Sequence, residues 1–157
     1  MAALSTLAIA LHVVAAIIWV GGMFFAHRFQ RPAAAKQEPA LRLALWRATF
    51  AGFFPWVWGS IAVLLATGYW MIFGVYGGFA NVGLHVHIMH AGGWVMMLLF
   101  FHVYFAPYRR LCRALDAGDV PGAGKQLNQI RGIVGINMLI GLATAMVGAS
   151  GRYWGWL

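Results

Sequence analysis

LHVVAAIIWVGGMFFAHR, residues 11–28, is apolar almost throughout, yet it carries an imidazole near each end, His12 and His27. Between them lie Trp19, the Gly21-Gly22 pair and Met23. Together with the apolar residues before it, the stretch is long enough for a bilayer core, which takes about 20 helical residues. An ionisable ring inside such a helix is expensive, so the default reading of these histidines is functional.

The rest of the 157-residue chain has the same character. It is 62% hydrophobic and 9% charged, with a mean hydropathy of +0.77, far from the balance of a soluble domain. Four windows free of charge through their centres match membrane spans, at about 4–28, 49–74, 84–108 and 130–151. No basic segment precedes the first apolar run, and that run is long for a signal peptide, so it reads as a retained span. The expectation is one domain over residues 1–157: an all-α integral membrane protein, a four-transmembrane-helix up-down bundle.

A formal charge of +8 would suggest nucleic acid in a soluble protein. Here its distribution excludes that. Ten of the eleven Lys and Arg residues fall at 28–47 and 109–131, between spans one and two or three and four; only Arg152 lies elsewhere. The positive-inside rule makes 29–48 and 109–129 cytoplasmic and places both termini outside. The basic loops are expected to meet anionic lipid headgroups. Cys112 has no partner cysteine and reads as a reduced structural thiol.

Local signals place the helix ends. Arg31-Pro32 is expected to end the first span, and Glu38-Pro39 to start the next helix with proline at its first position. That helix should run through Pro55, which kinks rather than ends a membrane helix. LDAGDVPGAG reads as a turn, with Pro121 opening the last helix. Small residues of that helix (Gly135, Gly141, Ala145, Gly148, Ala149) permit close packing, internal or in a homo-oligomer.

All six histidines, His12, His27, His85, His87, His90 and His102, lie on spans one and three. Those helices run parallel and diagonal in an up-down bundle, so ligands from both could meet at its centre. His12 is 19 residues before Arg31 and His90 is 19 before Arg109; both therefore lie about 28 Å from the basic edge. His27 and His102 are 4 and 7 residues from the same edges, a mismatch of about 4–5 Å. His12/His27 and His87/His102 share a 15-residue interval, about 22 Å of helix.

Two ligand layers on parallel helices suit one or two b-type haems, with His12 and His90 (or His87) on the outer iron and His27 and His102 on the inner one. A cytochrome b-like protein of this kind would exchange electrons with a quinol or a periplasmic redox partner and could serve as a membrane oxidoreductase. Small residues beside the rings (Gly21-Gly22, Gly92-Gly93) would admit a macrocycle, and the apolar shell would tune the iron. Copper is the alternative: Cu(I) favours thioether and imidazole, and His85, His87, Met89 and His90 form a compact outer group, with Met71, Met23, Met96 and Met97 beyond it. A third reading is a non-catalytic subunit that packs through its glycine-rich fourth helix. No nucleophile–base pair, phosphate loop or intramembrane carboxylate is present, which argues against hydrolysis and carboxylate-based proton pumping.

WVGGMFFAHRFQRPA in the first span, HVYFAPYRRL at the end of the third and IRGIVGINMLIGL in the fourth resemble CopD-like copper-resistance membrane proteins. The resemblance implies a small polytopic protein of the bacterial inner membrane, connected with copper uptake or tolerance. With four spans the chain is similar to an isolated CopD domain, which departs from the larger proteins and weakens the implication of transport. The organisation is also similar to HemJ-type haem-binding four-helix proteins, with a first-span histidine like His12. Their basic residue near the start of span three is replaced here by His87 and His90, so protoporphyrinogen oxidation does not carry over.

Overall fold

The computed structural model describes residues 2–154, which contain helices and turns and no strand. Four helices are each long and apolar enough to cross a membrane: α1 (Ala3–Ala35), α2 (Pro39–Val75), α3 (Leu84–Asp116) and α4 (Val120–Tyr153). A 33-residue helix such as α1 is roughly 50 Å long at 1.5 Å per residue, well beyond a hydrocarbon core of about 30 Å. The excess is taken up at the basic end, where most of the expected loop residues are helical and only 35–38 and 117–119 turn. The final aromatic stretch, GRYWGWL, is described as far as Trp154; residues 155–157 lie outside the described residues.

The helix boundaries follow local chemistry. Glu38 is extended and Pro39 opens α2, and the Asp119 carboxylate accepts the Gly122 N–H at 2.9 Å to cap α4. Gly118, at φ +71°, takes the left-handed conformation that ends α3. The α-helical run Pro39–Trp70 passes uninterrupted through Pro55. Pro32 does not end α1, contrary to expectation. It sits in the first turn of Arg31–Ala34, just after the π-helical turn Ala26–Gln30; a missing N–H costs least in a first turn. Pro107 likewise falls inside a π-helical turn, Tyr104–Tyr108.

The lipid-facing surface is apolar, with Ile17, Trp56 and Leu139 all exposed, so helix association must come from packing rather than burial from water. α1 packs along α2, and α3 along α4, while α2 and α4 also touch across the bundle. α1 and α3 therefore occupy the long diagonal, bridged at the centre by Trp19 against Phe100 (centroids 6.2 Å, edge-on). Between α2 and α3 stands a slab of rings in which Phe54 meets Phe100, Tyr104 and Tyr108 edge-on. Such pairs contribute about 0.5–1.5 kcal/mol each beyond area.

The α3–α4 seam is closer. A Cβ at Gly92 would lie 2.5 Å from the Thr144 hydroxyl, and one at Gly141 would lie 2.9 Å from the Met96 methyl. Gly148 and Gly151 continue the seam towards the end opposite the basic residues, the far end. Of the small residues expected to permit close packing, Gly135, Gly141 and Gly148 meet side chains of α1 or α3, as does Gly151 beyond them, while Ala145 and Ala149 are exposed.

Candidate functional site

The histidines separate into distinct environments. Nδ1 of His12 lies 2.8 Å from the Thr67 hydroxyl of α2. That hydroxyl donates to the Val63 carbonyl at 2.6 Å, so towards His12 it accepts. Nδ1 therefore carries the proton and Nε2 keeps a free lone pair, the tautomer of a metal ligand oriented by a neighbouring group. Nε2 of His90 lies 3.0 Å from the Tyr69 hydroxyl and accepts the Trp94 indole N–H at 3.2 Å.

His12 and His90 thus both engage one turn of α2, through Thr67 and Tyr69. Residues two apart point about 200° away from each other around a helix, so the rings sit on opposite flanks of α2. The remaining rings lie apart again. His27 stands in a π-helical turn of α1 against Gly135 of α4, while His102 is exposed on α3. His87 is exposed beside Phe79, with ring centroids 6.1 Å apart. Among the described residues, no group of three or more His, Cys, Asp or Glu comes together to hold a metal ion.

The outer group His85, His87, Met89 and His90 divides by helix face. His87 and His90 turn towards Phe79. His85 and Met89, four residues apart and so stacked on one face, turn to α4. The His85 side chain fills the space a Cβ would need at Gly151, its ring edge-on to Trp154, and the Met89 sulfur lies 2.7 Å from a Cβ position at Gly148. Met96 continues this stripe over Gly141. Met23, Met96, Met97 and Met138 are all buried in the core beyond it.

At the basic end a cavity of about 260 Å³ opens among α1, α2 and α4, with Phe100 and Val103 of α3 behind it. Its walls are chiefly apolar and aromatic, and its polar lining includes His27, Gln30, Arg31, Thr49, Arg131 and Asn137. Gln30 donates to the Thr49 hydroxyl, and Nδ2 of Asn137 donates to the Met96 carbonyl at 3.3 Å. The Arg131 guanidinium lies over the Trp46 ring at 5.3 Å. Among the described residues one ion pair forms, Arg47–Asp116 at 2.6 Å, and it is exposed.

Thr67, Tyr69, Trp46 and Arg131 were not singled out by the sequence. Thr67-Gly68-Tyr69 does stand out as a polar interruption in an otherwise apolar span, and Arg131 as a cation just inside the last one.

Four membrane-crossing helices, a soft-donor seam at one end and a cation-rimmed cavity at the other define a multi-pass integral membrane protein of the four-helix class. The chain belongs to the CopD family: the family model for copper resistance protein D matches residues 47–150. The match takes in α3 and most of α2 and α4, and with them the His85–Met89–Met96 stripe, while His12 and His27 precede it. No curated protein and no solved structure gives a match.

Proposed function

We propose that the protein binds Cu(I) as cargo at the far end of the α3–α4 seam, using His85 and Met89, in a copper-tolerance role in the bacterial inner membrane. The carrying observation is that these two side chains share one face of α3 and are pressed onto Gly148 and Gly151 of α4. An imidazole and a thioether one helical turn apart form a soft, neutral donor pair, the chemistry Cu(I) selects over harder divalent ions. Met96 lies 11 residues beyond His85 on the same stripe, about 16 Å deeper, and offers a further thioether. Membership of the CopD family agrees with this reading, and the matched residues include His85, Met89, Met96 and Gly148.

The test is anaerobic Cu(I) titration of purified protein against a competing chelator, with a His85→Ala/Met89→Leu variant beside it. The variant should bind at least about tenfold more weakly, a loss of about 1.4 kcal/mol. Equal affinities would refute the site.

A second reading is b-type haem, and one observation favours it: the His12 tautomer leaves Nε2 free for iron. Haem would supply one-electron chemistry there. The candidate second ligands, His90 and His87, lie at Tyr69, Trp94 and Phe79; of the inner pair of that reading, His27 packs against Gly135 of α4 and His102 is exposed on α3. His12→Ala would remove a Soret band if His12 were an axial ligand. A pyridine haemochrome assay that finds no haem in the purified protein would exclude the reading.

A further inference from the structure

We propose that the cavity at the basic end binds one anionic phospholipid, its phosphate held by Arg131 and the Trp46 indole N–H, which line the cavity, with Arg42 just outside the lining, and one acyl chain entering the aromatic cleft. This site is separate from the copper seam and does not rest on it.

Several donors at this end lack acceptors. Nε and Nη2 of Arg131, Nε of Arg42 and Nε1 of Trp46 are all buried and make no hydrogen bond. Trp46 itself is only 3% exposed and stands one turn from Arg42 on the same face of α2. Buried N–H groups are almost always paired, so several orphans in one place need an acceptor. Phosphate oxygens accept and do not donate, and they meet guanidinium groups in charge-assisted, often bidentate bonds.

Charge points the same way. Arg31 lines the cavity with Arg131, and Arg131 feels the charges of both Arg31 and Arg42. Among the described residues no carboxylate balances them. Asp116 is paired with Arg47, Asp119 caps α4 and Glu38 is exposed at the start of α2. Three guanidiniums gathered without an acid repel one another unless an anion joins them.

The cavity's shape then selects a lipid over a soluble anion. Its walls run inward along rings such as Phe50, Phe54 and Phe100, and Phe25 at its edge is 61% exposed on the lipid-facing side of α1. A volume of about 260 Å³ falls just below the roughly 300–1,000 Å³ of ordinary ligand pockets, room for the upper part of one acyl chain, the rest running out past Phe25, but not for a broad macrocycle. The headgroup would then sit at the depth where basic residues of a membrane protein meet anionic lipid.

Native mass spectrometry of copper-free protein, released from phosphatidylcholine nanodiscs with or without phosphatidylglycerol, tests the site. Wild type should retain one phosphatidylglycerol in preference to phosphatidylcholine. Arg131→Gln should lower that retention at least about tenfold, the scale of losing a charged hydrogen bond. Val134→Trp, which fills the cavity and leaves the cations in place, should lower it too. Thermal unfolding establishes that each variant is folded. Retention unchanged in both folded variants, or equal for the two lipids, would overturn the proposal. So would inorganic phosphate binding as tightly as phosphatidylglycerol with the same dependence on Arg131, which would assign a soluble anion. A Soret-absorbing adduct lost with Arg131→Gln would assign haem and overturn it equally.

Discussion

At the far end, neutral soft donors are pressed onto glycine: His85 over Gly151 and Met89 over Gly148. At the basic end, Arg31, Arg131 and Trp46 line a space they do not fill, and Arg131, Trp46 and the neighbouring Arg42 carry buried N–H groups with no acceptor. One end has been closed by packing and the other left open by charge. The difference follows from the residues available. Glycines let α3 and α4 approach until a thioether or an imidazole fills the gap. Guanidiniums cannot approach one another so closely, and large rings on α2 and α3 hold the helices apart behind them. Soft cargo belongs to the first geometry and an acidic headgroup to the second.

Breaking the tight end should have the largest effect on stability. Gly141→Leu drives a side chain into Met96 and Val20, and overpacking of this kind costs about 1–3 kcal/mol. Its thermal midpoint in detergent should fall, and Cu(I) retention should fall with it, while phosphatidylglycerol retention at the other end holds. A glycine away from the seam gives the control. A Cβ at Gly52 meets nothing within 4 Å, so Gly52→Ala should stabilise the helix by about 0.5–1 kcal/mol through backbone entropy. A fall in the midpoint of that variant would show that Gly52 faces a contact absent from the monomer.

Asn137 joins the two regions, since it lines the cavity and donates to the Met96 carbonyl in the seam. Interhelical hydrogen bonds in membranes average about 0.6 kcal/mol, and Asn137→Leu also removes a buried carbonyl oxygen with no partner. Its midpoint should change by less than about 1 kcal/mol. A larger loss would place Asn137 in a network beyond this one bond. The smallest effect belongs to the Arg47–Asp116 pair, which is exposed on both sides. Asp116→Asn should leave the midpoint unchanged, since exposed ion pairs contribute little.

Four spans were legible in the sequence because bilayer thickness imposes a length and a composition that few other structures imitate. Pro39, Pro121 and the LDAGDVPGAG turn marked helix ends through chemistry that acts within one turn. Depth was legible too: His12 and His90, each 19 residues from a basic edge, reach the same turn of α2. Direction was not. Counting residues gives height along a helix but not rotation about it, and α1 contains two π-helical turns, Ile17–Gly21 and Ala26–Gln30. Each accommodates an extra residue, rotating the next part of the helix by about 100°. Fifteen residues already turn a regular α-helix about 60° past whole turns and the π-helical turns change that angle again, so the interval fixes no common direction: His12 meets Thr67 of α2 and His27 meets Gly135 of α4. The outer group, read from the sequence as one compact cluster, divides in the structure: His85 and Met89, four apart, turn to α4, while His87, two from each, turns with His90 towards Phe79. The cavity left no such mark, because it arises where three helices fail to meet.

The central claim is that the far-end seam holds the copper. Its most direct test is X-ray absorption at the copper edge on protein loaded with one equivalent of Cu(I), for wild type and the Met89→Leu variant. The wild-type spectrum should show sulfur and nitrogen together in the first coordination shell, and the variant should lose the sulfur. A wild-type shell without sulfur, or a sulfur signal that survives Met89→Leu, would contradict the account.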